Sequence, residues 1–182
     1  MPFERTQERV ADALRTTFAE VDAYFDHPED LRRRQPASGG WSIDQILEHI
    51  TLTNRFLMLT LQKWVGIAEQ RVQRGDAIPE GESDLDRLDA IATHGSFGWP
   101  HPEHMTPTGE PTSAEVRALL HEQLGECLAQ LERLRGGAGA TCKITMTVND
   151  LGKIDLYQWL YFIAQHERRH LQQLAALANP AV

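Results

Sequence analysis

At 182 residues, 41% hydrophobic and 24% charged, the chain has the size and composition of one globular domain spanning 1–182, long enough to bury a core. Its formal net charge of −8, without a basic stripe, excludes nucleic-acid binding through phosphate contacts. It has no apolar run of about eighteen residues, so no membrane partner is expected.

The first helix is expected over about 3–25, where Val10, Leu14, Phe18, Val21 and Phe25 recur at steps of three and four. Pro28 stops it. Residues 27–41 read as a loop, with the basic run Arg32-Arg33-Arg34 solvated. The second helix starts at Ser42, which forms a capping box with Gln45, and runs through Ile46, Ile50, Leu57 and Leu61 to about Arg71.

Residues 75–111 form a long connection rich in proline and glycine, with a short helix expected near 85–91. Connections of that length cross over a bundle or cover a site. The third helix starts at Thr112, boxed by Glu115, and Gly136-Gly137 ends it. Residues 136–153 read as a loop in which Thr145-Met146-Thr147-Val148 alternates like a short strand. The fourth helix follows Asp155, boxed by Gln158, and stops at Asn179-Pro180. The expectation is an all-α, four-helix bundle with one long crossover between its second and third helices.

The last helix carries the chemistry. Its stripe Trp159, Ile163, His166, His170, Leu174 and Leu177 is continuous at three-four spacing, so two imidazoles interrupt the core-facing side. Histidines at i and i+4 converge on one metal ion, and His166-Glu167-Arg168-Arg169-His170 fits His-Glu-x-x-His. A metal needs a third ligand, and residues 171–182 hold no His, Cys, Asp or Glu. The third ligand is therefore expected upstream. His49 is the best candidate, on the inward stripe Ile46, His49, Thr53, Phe56 of the second helix.

Three neutral imidazoles with an open fourth position suit zinc, nickel or another divalent ion. Glu167 is either a general base beside the metal or a residue turned toward solvent or a neighbouring helix. His94, His101 and His104, with Trp99 and Met105, are candidates for the pocket mouth. His27 and His121 read as exposed, and Cys127 as a small core residue. Cys127 and Cys142 show no C-x-x-C spacing, and the N-terminus has no apolar signal core. A reducing, cytoplasmic compartment is the expectation.

The segment Gly40-Trp41-Ser42-Ile43-Asp44-Gln45-Ile46-Leu47-Glu48-His49-Ile50 resembles the DinB-like superfamily. So do Gly152-Lys153-Ile154-Asp155-Leu156 and the terminal His166-Glu167-Arg168-Arg169-His170-Leu171-Gln172-Gln173. The resemblance implies an up-down-down-up four-helix bundle, often a homodimer. It also implies a divalent metal, frequently nickel or zinc, on His49, His166 and His170. Characterised relatives include thiol S-transferases that use bacillithiol or mycothiol, and the partners expected are a small-molecule thiol and an electrophile. The competing readings are a metal-dependent hydrolase with Glu167 as base and a non-catalytic, metal-stabilised bundle.

Overall fold

The computed structural model describes residues 3–37, 39–97 and 100–179. The protein is mostly helical. Its long helices are α1 (Glu4–Asp22), α3 (Ile43–Gln73), α4 (Ser113–Arg133) and α5 (Leu156–Ala178), and α2 (Glu29–Arg32) is a single turn. A two-stranded antiparallel hairpin, β1 (Lys143–Met146) with β2 (Gly152–Asp155), is the only sheet among the described residues.

Three helices begin where a side chain satisfies their first free amides. Ser42 with Gln45, Thr112 with Glu115 and Asp155 with Gln158 each form the full reciprocal box at the start of α3, α4 and α5. α1 closes at Asp22, and a 3-10 turn, Ala23–Asp26, carries the chain on to the buried Phe25. α1 packs on α4 and α5, and α3 packs on the same two helices. Their shared interior holds Leu14, Phe18, Ile50, Leu61, Leu120 and Phe162, all essentially removed from water. No described helix is long and apolar enough to cross a membrane.

The structure corrects the sequence reading in three places. The basic run is not wholly solvated: Arg32 is 12% exposed, pairs with Asp44 at 2.6 Å and donates to Ser113. It thereby ties the starts of α3 and α4 together. The region 136–153 is more ordered than a loop, because the strand expected near Thr145 pairs with a second strand, Ile144 opposite Ile154. Phe56 ends the inward stripe of α3 by standing 43% exposed.

The crossover from α3 to α4 lies on α5 and is held there by one polar stripe. Gln158 donates to the Asp84 carbonyl at 2.7 Å, and Tyr161 and Gln165 both donate to Asp89. Arg169 donates to the carbonyls of Thr93 and Phe97, at 2.5 and 3.1 Å. Gln172 accepts from the His94 amide and donates to the Ala92 carbonyl. Between these contacts the 3-10 turn Asp86–Ala92 buries Leu88 and Ile91. The far end of the crossover is fixed to α3, where the Glu48 carboxylate accepts from the Thr108 and Gly109 amides, both at 2.8 Å.

Candidate metal centre

α3 and α5 bring His49, His166 and His170 together. The ring centroids lie 4.5 Å apart for His166 and His170, 4.8 Å for His49 and His170, and 5.5 Å for His49 and His166. One ligand nitrogen from each falls within 4.8 Å of the other two. Residues more than a hundred positions apart thus meet at one point inside the helices.

Two of the three rings are oriented by fixed partners. Nδ1 of His49 lies 2.7 Å from the Met105 carbonyl oxygen, which can only accept, so the ring proton sits on Nδ1 and Nε2 is left to bind. Nδ1 of His170 likewise donates to Oε1 of Gln173 at 2.6 Å. This is the outer shell that metal-binding histidines carry, fixing both tautomer and ring direction. The Nε2 atoms of His166 and His170 stand 3.1 Å apart. Two nitrogens on one tetrahedral zinc, with bonds of about 2.0–2.1 Å, stand about 3.3 Å apart. The donor set therefore fits a divalent ion.

Burial keeps all three rings neutral, the form that ligates. Loss of water pushes the His49 pKa down to about 4, partly offset by the Met105 hydrogen bond. It pushes His170 down to about 3, with His49 adding to the effect, and holds His166 well below the ordinary histidine value.

A cavity of about 390 Å³ opens in front of the three rings. Trp41 forms one wall, its ring 4.7 Å from His49 and 4.8 Å from His101. Arg169, Gln173, His94 and Phe97 form another, with the Arg169 guanidinium 4.6 Å over the Phe97 ring. No carboxylate is among the described lining residues. His94 and His101 therefore do line the mouth with Met105, whereas His104 packs on Phe56 instead. Trp99 lies outside the described residues, as does Pro180.

Glu167 is placed differently. It is 0% exposed and does not line the cavity. Its Oε1 accepts from Asn54 of α3 at 2.8 Å, and its carboxyl lies close enough to Cys127 of α4 to influence that thiol. Burial raises its pKa to about 8, with Asn54 and then Thr17 of α1 pulling the other way. The carboxyl thus stands among the long helices, about 100° round α5 from the ligand face.

Trp41, Arg169 and Gln173 shape the site although periodicity and spacing assign them no role of their own. Gln173 had a signal, since it lies one turn beyond His170 on the same face. Comparison with known proteins finds no matching curated protein and no matching solved structure. A sequence model of the DinB superfamily matches residues 3–174, nearly the whole chain and both elements that supply the histidines. The protein belongs to the DinB superfamily.

Proposed function

We propose that the protein is a metal-dependent S-transferase that joins a low-molecular-weight thiol to an electrophilic small molecule. We also read its long helices as an up-down-down-up bundle and the protein as a cytoplasmic homodimer. The observation that carries the reaction is the open cavity before three neutral imidazoles, walled by Arg169, His94 and His101 and free of described carboxylates.

His49, His166 and His170 would hold the ion, zinc or nickel by their chemistry. When bound, it supplies Lewis acidity that favours thiolate over thiol at neutral pH. Met105 and Gln173 keep the His49 and His170 rings aimed inward. The walls offer an anionic sulfur one cation, Arg169, and no described negative charge to repel it. Trp41 and Phe97 give the cavity its aromatic walls. With a chlorinated nitroaromatic as acceptor, the sulfur–carbon bond forms as the carbon–chlorine bond breaks. Chloride leaves with the electron pair, and the thiol proton goes to solvent.

Glu167 receives no proton-transfer role here, because its carboxyl bonds Asn54 and not the cavity. A purely structural ion is disfavoured by the same cavity, since a structural site is closed. The test is conjugation of a chlorinated nitroaromatic by zinc- or nickel-loaded protein with a panel of small thiols, with and without chelator. Product that forms only with metal supports the reading. Equal rates in both samples, or no rate with any thiol, sink it.

A further inference from the structure

A second cavity, of about 500 Å³, adjoins the first and has the opposite chemistry. It lies between α3, α5 and the hairpin. Phe56, Trp159, Phe162, Met146 and Val148 supply its apolar walls, and no charged residue lines it among those described. In a chain with 24% charged residues, such a surface is selective for uncharged matter. Its volume is that of a small-molecule site.

The two cavities share Thr53 and Met105 in their linings. Met105 is the residue whose carbonyl orients His49. Thr53 is 3% exposed, and its hydroxyl has no hydrogen-bond partner among the described residues. A buried hydroxyl without a partner costs free energy, and because Thr53 lines both cavities, a turn of its side chain would bring that hydroxyl to a ligand that satisfies it.

We propose that the apolar cavity is the subsite for the electrophile: an uncharged, largely aromatic molecule with a hydrogen-bond acceptor beside its reactive carbon. Its ring packs among Phe56, Trp159 and Phe162, and the sulfurs of Met105 and Met146 meet the ring edge. Thr53 donates its hydroxyl proton to the acceptor, a nitro or carbonyl oxygen, which turns the reactive carbon toward the three histidines. Thr53 is thus a specificity-determining residue. The occupant's role as electrophile rests on the thiol-transfer reading, but the preference for an uncharged aromatic body does not.

The experiment titrates meta-dinitrobenzene, an uncharged aromatic with acceptors and no leaving group, into the full chain by calorimetry. meta-Nitrobenzoate serves as its charged counterpart. Four variants are compared: Val148→Asp, Phe56→Ala, Thr53→Val and His166→Ala. Phe56 and Val148 are at least partly exposed, so changing them spares the core, and circular dichroism checks each variant. Saturable binding of the neutral probe, kept in His166→Ala and weakened at least about tenfold in Val148→Asp and Phe56→Ala, supports the subsite. Thr53→Val should weaken it about threefold to tenfold, the worth of one neutral hydrogen bond.

The proposal is overturned by no saturable binding, by binding lost with His166 but kept in Val148→Asp, or by tighter binding of the benzoate. If the probe binds as expected while no thiol is conjugated, the reaction falls and the subsite stands. If conjugation succeeds with the KM for the nitroaromatic unchanged in Val148→Asp and Phe56→Ala, the subsite falls and the reaction stands.

Discussion

His166 and Glu167 are neighbours in the chain, both buried, and they show how one physical effect serves two ends. Removal from water disfavours whichever form is charged, so it lowers the pKa of the base and raises that of the acid. His166 is left neutral beside two more neutral rings at the edge of an open cavity, which is a metal-binding arrangement. Glu167 is left protonated at neutral pH beside Asn54, Thr17 and Cys127, which is a core arrangement. The same five-residue motif that gives a hydrolase its base here divides between two environments, because successive helix positions face different neighbours. The presence of Glu in the motif therefore says less about mechanism than the helix against which it packs.

The sharpest way to break the comparison is to remove each partner in turn. His166→Ala should lower affinity for zinc or nickel by well over the roughly 10–100-fold typical of an outer-shell partner. Glu167→Ala should leave metal affinity within about threefold and instead lower stability by about 1–3 kcal/mol, because the buried Asn54 amide loses its acceptor. Competition against a chromophoric chelator and denaturant melts of the metal-free protein measure the two quantities. A metal loss in Glu167→Ala as deep as in His166→Ala would show that the two residues share one environment after all.

A smaller effect separates them by sign. Glu167 holds its proton up to about pH 8 in the folded protein, against an ordinary value of 4.5. Between those values the folded state binds a proton that the unfolded chain has released. Its contribution to stability is therefore complete below pH 4.5 and is lost as pH rises toward 8. His49 and His170 do the reverse. Their folded values of about 4 and about 3 lie under the ordinary 6.5, so the unfolded chain takes up protons first and stability falls as pH drops below 6.5. Metal-free protein should be most stable near pH 6.5 and lose on the order of 2 kcal/mol between there and pH 8. Glu167→Gln should abolish that alkaline loss and leave the acid limb intact. Denaturant midpoints across the pH range measure both limbs, and an unchanged alkaline limb in the variant would place the titrating group elsewhere.

The contrast also explains what was legible beforehand. The boxes at Ser42, Thr112 and Asp155 are local, and each appears in the structure where its spacing puts it. The inward place of His49, His166 and His170 follows from helical periodicity, and their meeting needed only that α3 and α5 touch. What stayed hidden depends on partners without sequence identity. Gln158, Tyr161, Gln165, Arg169 and Gln172 form a stripe at three-four spacing, but most of their acceptors are backbone carbonyls of the crossover, which any residue supplies. Arg32 read as solvent-facing because Asp44 and Ser113 belong to helices that meet it only in three dimensions. β2 escaped because it does not alternate: Ile154 and Asp155 are buried in succession, where the strand runs straight into the cap of α5.

The finest distinction lies within the metal centre, between a ligand and the group that aims it. Gln173 accepts the Nδ1 proton of His170 at 2.6 Å, and its own amide lies 3.4 Å from His94 Nε2. Gln173→Ala removes that acceptor, so the His170 ring loses its preferred tautomer and its fixed direction while its Nε2 remains. Metal affinity should fall by about tenfold, the low end of the outer-shell range, with metal stoichiometry unchanged. Gln173→Glu should restore the bond as a charge-assisted one and recover at least wild-type affinity, since a carboxylate raises the basicity of the imidazole it holds. Chelator competition on the two variants reads this directly. A loss equal in both would mean that position 173 acts through packing alone and does not aim the ring.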